Sequence, residues 1–208
     1  VAAREIDGVI EVIRENRRRF EKFCYSLSDE ELARPVPGTT WVVRDFAAHL
    51  DTLDTALVAW IQGAPPASRS AAGEPSLSSA GSSGGATEEF DVDAFNDAQV
   101  AERRGWPLDR VFAEAAANRA RLIEALSTLT DDRMAAPMHF PGDHKRQPAD
   151  LPLNLFLAGW AQHDAMHVAD MLKALPERAR DPELKRWLDN PFVAGYQAVM
   201  SGPEREGV

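Results

Sequence analysis

One cysteine in 208 residues, Cys24, leaves no partner for an internal disulfide and fits a reducing cytoplasm. No apolar run approaches the roughly 20 residues needed to cross a bilayer, so no membrane span is expected. Positive charge is scarce: 23 basic residues face 33 acidic ones, and the formal charge is -10. That deficit argues against a nucleic-acid partner, whose phosphates would be repelled, and against an anionic membrane surface. The opening segment carries acidic residues from Glu5 onward and no unbroken apolar core, unlike a signal peptide. Sustained apolar–polar alternation is missing, which removes the main case for a sheet, and no internal repeat is found.

What is present is helical periodicity. Residues 3–27 place Ile6, Ile10, Ile13, Phe20, Phe23 and Cys24 on or near one face, with Cys24 read as a small core residue. Arg17, Arg18 and Arg19 are expected on the solvated side. Ser28 caps a short turn that Pro35 and Pro37 close. A second helix over 42–62 has the stripe Val42, Phe46, His49, Leu53, Leu57 and Trp60, with a histidine in the middle of a core seam. Asp45 in its first turn either caps free N–H groups or orients His49.

Residues 63–88, rich in Gly, Ala, Ser and Pro, read as a flexible crossover or a lid. A weaker helix over 90–104 precedes a third long one over 107–129, which Pro107 opens. Arg119 lies on that third seam, its stem packed and its head reaching water, or else it binds an anion at a pocket. The segment 139–149 is loop or at most a short hairpin, and its His139 and His144 read as solvated unless the loop folds over the bundle mouth. The fourth long helix is expected over 151–175. The resulting fold is all-α: a four-helix bundle over 1–175 with a long crossover between its second and third helices. A tail over 176–208, with short helices, is expected to pack on the same domain.

His49, His163 and His167 carry the chemistry. In HDAMH the two histidines stand at i and i+4, stacked on one helix face with Cβ atoms about 6 Å apart. Burying three unpaired imidazoles would cost about 1–3 kcal/mol each. One shared divalent ion removes that cost, because neutral imidazole is a good ligand for zinc, nickel, iron or copper. Three protein ligands leave coordination open for substrate, as in catalytic sites. HDAMH is also a variant of the zinc-protease pattern HExxH, with Asp164 in place of the general base. In a bundle, Asp164 is instead expected to face solvent or a partner. Asp170, at i+3 from His167, reads either as an acceptor for a ligand N–H or as a surface residue.

PVPGTTWVVRDFAAHLDTL and GWAQHDAMHVADML resemble the two histidine motifs of the DinB-like superfamily, over roughly residues 5–175. The first stretch especially resembles the mycothiol-dependent maleylpyruvate isomerase branch, where a Trp and an "RD" precede the first metal histidine. The three-histidine set is more similar to the thiol transferases, since the isomerases often have Glu where this chain has His163. The usual Ser or Thr after the Trp is Val42 here, so capping falls to Thr39, Thr40 or Asp45.

The resemblance implies a homodimeric four-helix bundle holding one divalent ion through His49, His163 and His167, zinc or nickel first and iron or manganese next. It also implies mycothiol as co-substrate. The expected activity is metal-dependent thiol transfer or isomerisation of a small electrophile. Metal-dependent hydrolysis in the same site, and a non-catalytic bundle that binds metal or sequesters a ligand, stand as alternatives.

Overall fold

The structure, a computed structural model, describes residues 2–62, 92–140 and 142–203. The expected crossover or lid at 63–88 lies outside the described residues. The first long helix, α1 (Ala2–Tyr25), buries Ile6, Ile10, Ile13, Phe20, Phe23 and Cys24 along one stripe. Ser28 then caps α2 (Asp29–Leu32) in a reciprocal box: its hydroxyl accepts the Glu31 N–H, and Glu31 accepts the Ser28 N–H at 2.8 Å. Gly38, with a φ of +80°, turns the chain so that Pro35 and Val42 pair as an antiparallel bridge. That bridge delays α3 (Asp45–Ile61) past the expected start at Val42. Asp45 takes the Val42 N–H at 3.1 Å and the Arg104 guanidinium at 3.0 Å, so it ties down the entry to the helix.

After α4 (Val92–Arg103), which packs on α3, comes α5 (Leu108–Ser127), which packs on α3 and α1. The short α6 (Asp131–Ala135) leads into an antiparallel hairpin of β1 (Pro137–Phe140) and β2 (Ala149–Pro152). The fourth long helix is not continuous. It consists of α7 (Leu153–Trp160) and α8 (His163–Met171). Residues 149–152 are taken up by the hairpin, and the interruption at Ala161 and Gln162 has a visible cause. Asn16 of α1 donates its Nδ2 to the Ala161 carbonyl at 2.6 Å, drawing that acceptor out of the helical ladder. A 3-10 turn (Arg178–Arg180), α9 (Pro182–Leu188) and α10 (Pro191–Met200) complete the described chain. Trp187 donates to Asn16 Oδ1 at 2.7 Å, Val193 is buried, and α10 packs on α8. Among the described residues no helix is long and apolar enough to cross a membrane.

The core has two apolar parts. Ile6, Ile10, Ile13, Leu57, Leu122, Leu126, Leu153 and Leu157 form one, and Phe20, Phe23, Phe46, Leu50, Phe112, Val168 and Met171 belong to the other. Between them runs a buried layer of charge that corrects three expectations. Arg17 is not solvated with Arg18 and Arg19. Its Nε and Nη2 grip the two oxygens of Asp164 at 3.0 and 3.2 Å, and Nη2 also donates to the Leu50 carbonyl at 3.1 Å. Arg119 does not reach water either: its Nε bonds Asp54 and its Nη1 the Ile13 carbonyl. Asp164 faces neither solvent nor the histidines, because an isolated carboxylate at this depth would be far costlier than one paired with Arg17. With Asp164 turned to α1, the neighbouring face of α8 is turned to α3.

Candidate metal centre

That face carries His163 and His167, and α3 presents His49 to it. The three Nε2 atoms converge: His167 lies 3.0 Å from His163 and 3.2 Å from His49, and one ligand atom from each residue fits within 4.8 Å. Ligands about 2.0–2.1 Å from a tetrahedral ion stand about 3.3 Å apart, so the cluster is near the size of a coordination shell. His49 and His167 are buried, and His163, half-buried, is the most accessible of the three.

The protonation pattern also fits a cation. Nδ1 of His167 faces Oδ2 of Asp170 at 3.2 Å. A carboxylate only accepts, so this nitrogen carries the hydrogen, which in the neutral ring leaves Nε2 its lone pair. Burial, reinforced by the charge of His167, pushes His49 and His163 well below the ordinary imidazole value, so both are neutral at pH 7. Three imidazole nitrogens thus crowd together, two of them on neutral rings. Nδ1 of His49 is buried without a hydrogen-bond partner among the described residues. Without the hydrogen it is an orphan acceptor and with it an orphan donor; in the second case Nε2 of His49 turns a lone pair toward the cluster. An ion at the centre would take up that lone pair, which is the chemical reason these residues fit a metal.

Aromatic rings enclose the cluster. Trp41 lies 4.8 Å from the His49 ring, Phe46 5.4 Å from His167 and Trp160 5.0 Å from His163. Trp41 is held in place through its Nε1, which donates to Asp97 of α4 at 2.7 Å. Asp45 bonds Val42 and Arg104 and does not orient His49. Of the two readings of Asp170, the structure has the buried acceptor. Although burial works the other way, hydrogen bonds from His167, Lys173 and Gln197 hold its carboxyl below the usual range.

His139 and His144 are not part of the cluster. His139 pairs with Asp150 across the hairpin at 2.9 Å, and His144 bonds Asp93 at the start of α4 at 3.0 Å. Four contributors escaped sequence reasoning: Trp41 as a cover for His49, Asp97 behind it, and Tyr196 and Gln197 from α10, both bonded to Asp170. The pair from α10 had no signal beyond a short apolar helix in the tail.

Among curated proteins and among solved structures, nothing matches the chain significantly. The family model of the DinB superfamily does match, over residues 13–171, an extent that takes in all three histidines. The chain belongs to the DinB superfamily.

Proposed function

We propose that the protein is a divalent-metal-dependent enzyme that uses a low-molecular-weight thiol, of the mycothiol type, to attack a small electrophile. The observation that carries the metal reading is the convergence of the His49, His163 and His167 Nε2 atoms. A zinc or nickel ion bound there supplies the positive charge that lets a thiol ionise at neutral pH. His167 is kept in the ligating tautomer by Asp170. Trp41, Phe46 and Trp160 keep bulk water from the ring faces, and the half-buried side of His163 is where a thiol and its electrophile would enter.

Thiol chemistry is favoured over hydrolysis by the state of Asp164. Where the HExxH pattern would require a general base, both carboxylate oxygens are bonded to Arg17. A thiol is far more acidic than water to begin with, so a metal ionises it more readily where no separate base is at hand. A reducing cytoplasm suits such a co-substrate, and a homodimer is the proposed assembly.

The test is metal content by elemental mass spectrometry on untagged protein, beside a His163→Ala, His167→Ala double variant. About one transition metal per chain, lost in the variant, supports the site. The loaded protein should then consume mycothiol in the presence of a reactive electrophile such as a halonitroarene. Equal turnover by metal-free protein would sink the mechanism. No metal even after reconstitution would make the histidines pocket residues and leave a ligand-sequestering bundle.

A further inference from the structure

Asp170 accepts from four donors. Oδ2 takes His167 Nδ1 at 3.2 Å and the Tyr196 hydroxyl at 2.8 Å, and Oδ1 takes Lys173 Nζ at 2.8 Å and Gln197 Nε2 at 3.0 Å. A carboxylate offers about four lone-pair directions, so this one is saturated and held in one orientation. Two of the four donors come from α10, which lies beyond the residues 13–171 that the DinB family model covers.

The tail helix is itself firmly seated. Asn190 caps it by accepting the Val193 N–H at 3.0 Å, Pro191 occupies its first turn, and Val193 is buried against the core. The Tyr196 ring meets His167 edge-on, with centroids 5.7 Å apart. Lys173, by contrast, is more than one-third exposed and lies just past the end of α8, three residues from Asp170, so it constrains the carboxylate less.

We propose that α10 is part of the metal centre, with Tyr196 and Gln197 as positioning residues that hold Asp170 so that His167 presents Nε2 to the ion. This rests on the three-histidine reading above. Without the Tyr196 hydroxyl, Oδ2 keeps only His167 while Lys173 and Gln197 still hold Oδ1, so the grip on the tautomer and ring setting of His167 is weakened. Loss of such an outer partner weakens metal binding by about tenfold or more.

The chain has two tyrosines, which supplies a matched control. Tyr25 also donates to a carboxylate, Asp109 at 2.8 Å, but on the exposed surface. Tyr196→Phe and Tyr25→Phe therefore delete the same group from the same kind of bond. The experiment titrates metal-free full-length protein with zinc against a chelator, and records the visible absorption of the cobalt-loaded form. Thermal unfolding of each metal-free variant sets a temperature at which all of them are folded.

About tenfold weaker zinc binding and a changed cobalt spectrum in Tyr196→Phe alone are expected. Unchanged affinity and spectrum in Tyr196→Phe, or an equal change in Tyr25→Phe, overturn the proposal. Failure of the unaltered chain to bind zinc or cobalt overturns the three-histidine reading and this inference together, and that result is distinct because it needs no variant.

Discussion

Three residues after His167 on the same helix, Asp170 receives its Nδ1 at 3.2 Å, and Nε2 of His167 is thereby aimed at His49 and His163. Replacing Asp170 with alanine removes the acceptor and releases the ring. Zinc affinity should fall 10–100-fold, read by isothermal titration or chelator competition. Wild-type affinity in Asp170→Ala would mean that the ring is set by its aromatic neighbours and not by the carboxylate.

The buried charge layer gives a second expectation. Arg119→Met strips Asp54 of its guanidinium and should destabilise the fold by about 3–5 kcal/mol in urea unfolding. Arg119→Met combined with Asp54→Leu removes both charges from the same buried site and should recover most of that loss. Additive destabilisation in the double variant would contradict the pairing.

Cys24 is fully buried, and burial pushes its thiol well above the ordinary value. Native protein should therefore resist alkylation at neutral pH and react only when unfolded by denaturant. Stoichiometric labelling without denaturant would show that α1 opens at this point.

Glu31 links the first turn to the tail. Hydrogen bonds from Arg178, then from the Ser28 backbone, hold its carboxyl down at about 2. A depressed carboxyl stabilises the fold above its unfolded value, and that contribution is lost as pH falls through the folded one. Glu31→Gln should melt below the unaltered chain at pH 7. The gap should close as pH drops from roughly 4.5 toward 2. A constant gap across that range would assign the effect to packing and not to charge.

The helices and the candidate ligands were legible because both are local. Ile6, Ile10 and Ile13 mark an inward face, Ser28 with Glu31 writes a capping box, and His163 with His167 occupies one face by spacing alone. His49 was visible as a polar residue within an apolar stripe. Arg119 was seen on its seam, but the matching polar gaps of the other long helices, at Arg17, Asp54 and Asp164, went unread. Four gaps that coincide are the trace of a buried charge layer, but their alignment emerges only once the helices are set side by side.

By itself the sequence determined the all-α class, the stripes that build the two apolar cores, and which three histidines could meet. Tertiary structure decided where the charges point. Arg17 goes inward while Arg18 and Arg19 bond Glu15 at the surface, although helical period places no sharp boundary between them. It also decided where the fourth helix breaks, through an Asn16 side chain 145 positions from the carbonyl it captures, and that Tyr196 of the tail would stand behind Asp170. The reason is physical. Periodicity reports which face leaves water, because burial is a property of one helix at a time. The partner of a buried polar group is chosen by what other segments bring to the same depth, and no local pattern encodes that.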